Sequence, residues 1–480
     1  MSTTTGKVYV DMEQTWTDYT NIYDGSLNLV GDNSHDVTSV AGLSGESYYF
    51  AIYGNWSGRI SREITFAGGE VNITDSNSRT AVLGAYSTQN TMTLSFVNGN
   101  KLNVSQDLLL AGGRQTSSAE STVVSEFNFA GTVNVGTYDD SSKTWTCDKN
   151  IYVGTPDTLV KNNTSEYAIK TNISGTVNAN TVYMRPNTSV SVTGTLNAAG
   201  GVFLSYAATG GDWSNSSFDK FEVAKGAVAN VGFLRAYSGA IIDIDGEVNI
   251  SSSNSGTSLY LYSGYLNFGE NATYNAKGSN SSIEVGGSIV SNAQKGKITI
   301  GTGKISLLST SSAVSGPTKL VLNTSDAFCV SDTVGQEGIY ISINSSTSSE
   351  SSAYRIEVNA NQNLDSIRFA KANNAVSIIF DAAVTEFNMT SLSNGTLNSE
   401  NDAKIVIDGF KLNMIHFNSW NSDDDLSLVS SADGDWTDFE LVSDGGTGYY
   451  LSATYIPEPS DYAAFFGVLV LAFAAFRGRK

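Results

Sequence analysis

Apolar and polar residues alternate in short segments along most of the chain. Clear examples are Val71–Thr74, Leu102–Ser105, Val190–Thr193, Ile298–Ile300 and Ile405–Ile407. Alternation with a period of two turns one side of a strand toward a core and the other toward solvent. Gly, Asn and Ser interrupt the alternation roughly every ten residues, as at tight corners. The pattern therefore predicts an all-β body of many short strands.

A four-residue repeat sharpens this prediction. It reads Gly, then Ser, Thr, Glu or Tyr, then Val or Leu, then Asn. Its closest copies are 19 and 18 residues apart, and wider gaps lie near multiples of about 21 residues, one coil of a β-solenoid. We expect Gly with positive φ at a corner, the aliphatic residue in the core, and Asn either in a left-handed bend or in a ladder along the axis. The copies begin at Gly25, Gly69, Gly131, Gly175, Gly194, Gly246, Gly264 and Gly395.

The gaps between copies are irregular, which predicts loops of varying length or coils that have lost the motif. A stack of β-sandwiches is the alternative for such a composition. The repeat resembles the autotransporter passenger and pectin-lyase-like right-handed parallel β-helices, and this resemblance implies an elongated body over residues 1–422 rather than any activity. Residues 423–455 are expected to close the body, with Phe439–Val442 and Tyr449–Tyr455 paired as a hairpin.

The last residues, 456–480, have a different pattern. Pro457, Glu458 and Pro459 hold the backbone extended and out of a helix, so this strip should be exposed. The run from Tyr462 to Phe476 contains no charge, and as a helix it would be about 22 Å long. A hydrocarbon layer is about 30 Å thick, so spanning needs help from the ends of the helix. We expect a single transmembrane helix; a helix packed in a protein core or a subunit interface is the alternative.

A basic tip of Arg477, Arg479 and Lys480 ends the chain. These side chains can reach one membrane interface while Tyr462 lies at the other. The positive-inside rule then places the tip in the cytoplasm and the body across the membrane.

The order of Ile-Pro-Glu-Pro-Ser, apolar helix and basic tip resembles the PEP-CTERM sorting signal of Gram-negative bacteria. The resemblance covers only the tail. It implies export through the inner membrane, transient anchoring in inner-membrane lipid, and processing near Pro457–Pro459 by an exosortase-type membrane peptidase. The segment from Met1 to Val10 has no apolar leader, so a leader is expected to precede the present start.

Composition fits an extracellular protein solvated by uncharged polar side chains. The formal charge is −20 with only 27 basic residues, which argues against nucleic acid and against anionic lipid as partners of the body. Cys147 and Cys329 could pair in an oxidising compartment, but one bridge would be incidental to so long a chain.

Residues typical of catalysis are sparse. His35 and His416 are the only histidines, so we expect no zinc site or Ser-His-Asp triad, no metal and no cofactor. Asp243 and Asp245 should project from one side of a strand about 6.6 Å apart, either as a pair of catalytic carboxylates or as a solvated polar face.

Aromatic residues suggest one binding surface. In Leu259–Tyr262 the alternation turns Tyr260 and Tyr262 outward, where they could stack on sugar rings or pack between neighbouring coils. We expect a structural or adhesin-like protein of the cell surface or extracellular matrix, with exopolysaccharide or other envelope components as partners. The alternative is a polysaccharide-degrading or glycan-binding protein on the same fold.

Overall fold

In the computed structural model the body is all-β. The structure describes residues 2–5, 8–9, 18–23, 27–31, 48–54, 61–66, 69–75, 78–85, 91–111, 125–154, 167, 169–205, 219–237, 239–251, 257–309, 317–330, 338–344, 354–370, 375–400, 403–432, 434–456, 468–469 and 471–472. Within this part of the chain, 36 strands join in one parallel sheet system. The predicted all-β class is confirmed.

Through most of the stack, each turn of the chain contributes one segment to each of three parallel ladders, in the same order. The first ladder ends at Phe328–Val330 and the second at Ser366–Phe369, whereas the third continues to Val429–Ser431. The first ladder contains Ser2–Thr5, Leu27–Gly31, Glu70–Asp75, Lys101–Val104, Thr132–Val135, the first halves of Thr176–Met184 and Thr195–Leu204, Val228–Val231, Glu247–Ile250, Thr273–Ala276, Ile298–Ile300 and Phe328–Val330.

The second ladder follows the first along the chain. It contains Val8–Tyr9, Tyr48–Gly54, Thr80–Ala85, Leu108–Ala111, Ile151–Val153, the second halves of Thr176–Met184 and Thr195–Leu204, Leu234–Ala236, the first halves of Leu259–Phe268 and Ile283–Ser291, Lys304–Leu308, Tyr340–Asn344 and Ser366–Phe369.

The third ladder completes each turn. It contains Asp18–Tyr23, Ser61–Phe66, Thr91–Phe96, Ser125–Phe129, Ile169–Ile173, Thr188–Val192, Asp219–Val223, Ala240–Ile244, the second halves of Leu259–Phe268 and Ile283–Ser291, Lys319–Leu322, Tyr354–Val358, Ala375–Phe380, Lys404–Asp408 and Val429–Ser431. Three ladders repeated in this order are consistent with a β-solenoid.

The core lies between the three ladders and runs along the stack. Val, Leu, Ile and Phe at alternate strand positions are almost completely buried, and they form one continuous cluster. Aromatic residues stack inside it from coil to coil: the rings of Phe66 and Phe96 are 4.8 Å apart, and those of Phe96 and Phe129 are 5.7 Å apart. A single coil cannot bury its apolar side alone, so each coil depends on its neighbours.

The C-terminal end of the stack is closed by a second sheet. Three short parallel strands, Gln362–Leu364, Phe387–Met389 and Ile415–Phe417, are followed by the antiparallel strands Tyr449–Tyr455 and Trp436–Ser443. The predicted closing hairpin is therefore present. Of the remaining elements, Thr137–Asp139 and Thr144–Thr146 form a separate hairpin, and Leu426–Leu428 is a short 3-10 helix.

The motif glycines agree with our prediction only in part. Gly69, Gly264 and Gly395 do have positive φ. At Gly131, Gly175 and Gly194 φ is not in the left-handed region; instead, a Cβ would lie 2.0–2.2 Å from a backbone carbonyl oxygen of the preceding coil. These corners need glycine because the backbones of adjacent coils approach each other too closely for any side chain.

Two motif copies lie away from the first ladder. Gly264–Asn267 belongs to the third ladder, where Asn267 pairs with Asp243, and Gly395–Asn398 lies in a turn. The expectation that wider spacings are multiples of one coil is also wrong in part. Asn134 pairs directly with Asn178, 44 residues away, so this interval is one long coil.

Candidate functional site

A row of asparagines follows the outer side of the first ladder. Leu102, Val133 and Val177 point into the core, and the asparagine after each of them points outward. In every step the Nδ2 of one asparagine donates to the Oδ1 of the asparagine in the preceding coil, at 2.7–3.0 Å. The row contains Asn72, Asn103, Asn134, Asn178, Asn197, Asn230, Asn249 and Asn275. We call it the asparagine ladder.

The ladder confirms that the motif asparagine stacks along the axis. Three members, Asn103, Asn230 and Asn275, lack the motif glycine three residues before the asparagine. This agrees with the expectation that some coils have lost part of the motif. A primary amide has two donors and two acceptor positions, and the ladder uses one of each. The outer side therefore combines continuous coil-to-coil bonding through uncharged amides with charged neighbours such as the Glu70–Lys101 pair.

The two outward tyrosines lie on the second ladder. Tyr262 is 46% exposed, whereas Tyr260 is half-buried between Arg235 and Glu284, its partners in the neighbouring coils. Burial raises the pKa of Tyr260, and the phenol of Tyr262 and the carboxylate of Glu284 add to the effect. Sugar stacking at these rings stays a prediction.

A stack of aromatic rings lies on the same side of the second ladder. The rings of Tyr152 and Tyr183 are 5.1 Å apart and nearly parallel, and Phe203 continues the stack at 5.0 Å. Because stacked rings cover one another's faces, this row packs coils together. The sequence analysis missed it, although Tyr183 and Phe203 each follow a motif asparagine by a few residues.

The acidic residues singled out in the sequence are held by hydrogen bonds between coils. Asp243 contacts Lys220 Nζ at 3.1 Å and accepts from Asn267 at 2.7 Å, and Asp245 accepts from the backbone of Asn271 at 2.9 Å. Further along, the carboxylate of Asp424 is buried. These contacts fit the alternative of a structural polar face better than that of a catalytic pair.

The remaining polar candidates are also placed. The Nε2 of His416 lies 2.9 Å from Asp444, and this hydrogen bond is the main cause that lowers the pKa of Asp444. His35 lies outside the described residues. Cys147 and Cys329 are free thiols, so the possible disulfide is absent. Among the described side chains, no group of three or more His, Cys, Asp or Glu is arranged to hold a metal ion.

An open polar groove lies near the C-terminal end of the solenoid. Its volume is about 470 Å³, and its lining includes Arg368, Asp365 and Trp420. The sequence analysis missed this groove because its residues come from three successive coils. The one available signal was Trp420 between Ser419 and Asn421, an aromatic residue in a polar segment.

Most of the C-terminal segment 456–480, the predicted sorting tail, lies outside the described residues. This applies to Pro457, Glu458 and Pro459, to Tyr462 and Phe476 at the ends of the apolar run, and to the basic tip of Arg477, Arg479 and Lys480. Within the tail, four described residues, Val468, Leu469, Leu471 and Ala472, are helical and exposed. No helix in the described ranges is long and apolar enough to cross a membrane.

Comparisons with protein-family models, with curated proteins and with solved structures found no match to this chain.

Proposed function

We propose that this protein is an exported structural or adhesin-like component of a bacterial cell surface or extracellular matrix, with a right-handed parallel β-helix as its body. The observation that carries the proposal is the sequence of three segments in the tail: Pro457–Pro459, then the apolar run from Tyr462 to Phe476, then the basic tip. The hand follows from the strong preference of parallel β crossovers for right-handed connections.

The tail would act in two stages. Its apolar run inserts in inner-membrane lipid as a single helix, with Arg477, Arg479 and Lys480 on the cytoplasmic side. An exosortase-type membrane peptidase then processes the chain near Pro457–Pro459, and the body passes to the cell surface or beyond. The described end of the body supports access for such an enzyme: Tyr455 and Ile456, directly before the motif, are 45% and 47% exposed.

The body has features that suit a structural role outside the cell. Its asparagine ladder presents an uncharged polar surface along the stack, and hydrogen bonds join the coils on that surface. A rigid rod with regularly spaced polar side chains can contact exopolysaccharide or other envelope components at many points, so weak contacts add up.

Cell fractionation with intact-mass analysis tests the proposal. The full chain is produced with a working leader in a host that has an exosortase, beside a variant with Glu458→Ala and Pro459→Ala. We expect the first protein to be released without the residues that follow the motif and the variant to stay in the membrane at full mass. An uncut, soluble cytoplasmic product of the unaltered chain would overturn it.

A further inference from the structure

The groove near the C-terminal end is built from three consecutive coils. One wall is the outer side of Ser366–Phe369, and the others are turns around residues 390–394 and 419–422. The volume of about 470 Å³ falls within the range of small-molecule sites, roughly 300–1,000 Å³. The groove is open at the surface, so a chain longer than the groove could pass through it.

Arg368 is held in one position at this wall. Its Nη2 donates to Asp365 Oδ2 at 2.7 Å, its Nε donates to Ser366 Oγ at 2.9 Å, and its guanidinium lies 4.0 Å from the ring centroid of Tyr340. Nη1 has no protein acceptor among the described residues. The arginine therefore offers directed donors, while the Asp365 carboxylate balances its charge.

Trp420 supplies the aromatic surface of the groove. The indole packs against the solenoid core, with its ring 5.9 Å from that of Phe417, and it remains half-buried. One part of the side chain is thus anchored while another part lines the groove. A fixed aromatic surface can pack against the C–H face of a sugar at little entropic cost.

The turn around residues 390–394 is fixed by a buried carboxylate. Asp424 accepts hydrogen bonds from the backbone of Ser393 at 3.2 Å and of Gly395 at 2.9 Å, and from the hydroxyl of Ser393. Asn394 lies between them with positive φ and an exposed side chain. Its amide is thereby presented at the groove by a turn that is already ordered.

We propose that this groove binds a short segment of a neutral polysaccharide. The lining consists of one indole, an internally neutralised Arg–Asp pair, the amides of Asn394 and Asn421, and hydroxyl groups including that of Ser391. Amides, hydroxyls and a charge-balanced arginine match vicinal sugar hydroxyls, which both donate and accept. An anionic polysaccharide is disfavoured because it would meet the Asp365 carboxylate and a chain of net charge −20.

This site goes beyond the proposed envelope function, and its test does not depend on export or on the sorting tail. Isothermal titration of the purified full chain with cellotetraose, mannotetraose and xylotetraose, beside tetragalacturonate, measures the preference directly. We expect at least one neutral probe to bind with a Kd of about 1 mM or tighter, and tetragalacturonate to bind at least tenfold more weakly.

Variants locate the binding. Trp420→Ala should weaken binding of the best tetrasaccharide at least tenfold. Trp145→Ala removes a tryptophan from the separate hairpin and should leave this affinity unchanged. Asn394→Gly suits the positive φ and removes only the amide, so it tests the groove even if Trp420→Ala does not fold; we expect a loss of threefold or more. The proposal is overturned if no neutral probe binds, if tetragalacturonate binds best, or if correctly folded Trp420→Ala and Asn394→Gly both bind as the unaltered chain does.

Discussion

Asn178 donates a hydrogen bond of 2.9 Å from its Nδ2 to the Oδ1 of Asn134, although the two residues are 44 apart in the sequence. On its other side it accepts from Nδ2 of Asn197 at 2.7 Å. Every ladder amide between the two end members, Asn72 and Asn275, repeats this relation, so the donor-to-acceptor direction is the same in all coils that the ladder joins. The ladder thus joins neighbouring coils through side-chain hydrogen bonds, in addition to the backbone hydrogen bonds between their strands.

Replacing Asn178 by Asp tests the ladder. The carboxylate keeps an acceptor for Asn197 but loses the donor, and it faces the carbonyl oxygen of Asn134. We expect the free energy of unfolding to fall by about 1–3 kcal/mol, read from denaturant midpoints. Thr176→Asp is the control, since it adds the same charge on the same side of the same strand, outside the ladder. Equal losses in the two variants would show that charge, and not the ladder, is responsible.

The stacked corner glycines give a second prediction. A Cβ on Gly175 would lie 2.0 Å from the carbonyl oxygen of Gly131, so Gly175→Ala must push two coils apart. Gly226 has φ of +81° with open space around its missing Cβ, so Gly226→Ala carries only the backbone strain, about 1–2 kcal/mol. We expect Gly175→Ala to lower the thermal midpoint far more than Gly226→Ala. The opposite ranking would contradict the close approach of the coils.

The sequence motif predicted the ladder as one of two roles for its asparagine, and it did not predict the length of the coils. Gly131 and Gly175 begin successive copies of the motif 44 residues apart, and this whole interval forms one coil. A loop of any length can join two strands without changing their register, so the spacing of the motif does not give the length of a coil. The role of Gly175 was also hidden, since a close contact with another coil leaves no trace in the local sequence. The groove of Arg368 and Trp420 exists only once the coils are stacked.

A buried carboxyl makes stability depend on pH. Asp219 is completely buried, and burial raises its pKa from 3.8 to about 7 against the effect of hydrogen bonds from Thr188 and Ser205. Between about pH 4 and 7 the unfolded chain has released this proton while the folded chain still holds it. The contribution of Asp219 to the free energy of unfolding is therefore fully present below pH 4. It decreases as the pH rises toward 7, by at most about 4 kcal/mol in total.

Thermal midpoints between pH 4 and 8 measure this effect when the chain is compared with Asp219→Asn. The variant cannot titrate at this position, so its midpoint should fall less between pH 4 and 7 than that of the unaltered chain. Parallel curves for the two proteins would mean that Asp219 does not hold a proton in the folded state.

The closing hairpin protects the end of the core, which gives the last prediction. The Trp436 ring lies 5.3 Å from that of Phe410 and 5.2 Å from that of Tyr455, and Leu451 on the partner strand of the hairpin is buried. An uncovered solenoid end exposes apolar side chains and strand edges, which favour association. Trp436→Ala should lower the free energy of unfolding by about 2–3 kcal/mol. It should also increase binding of the dye ANS and shift the protein toward larger oligomers in size-exclusion chromatography. Trp145→Ala is the control, because Trp145 packs on Tyr138 within its own hairpin and is not among the side chains packed on the core cluster. If Trp436→Ala keeps the elution volume and the dye binding of the unaltered chain, the hairpin is not what covers the core.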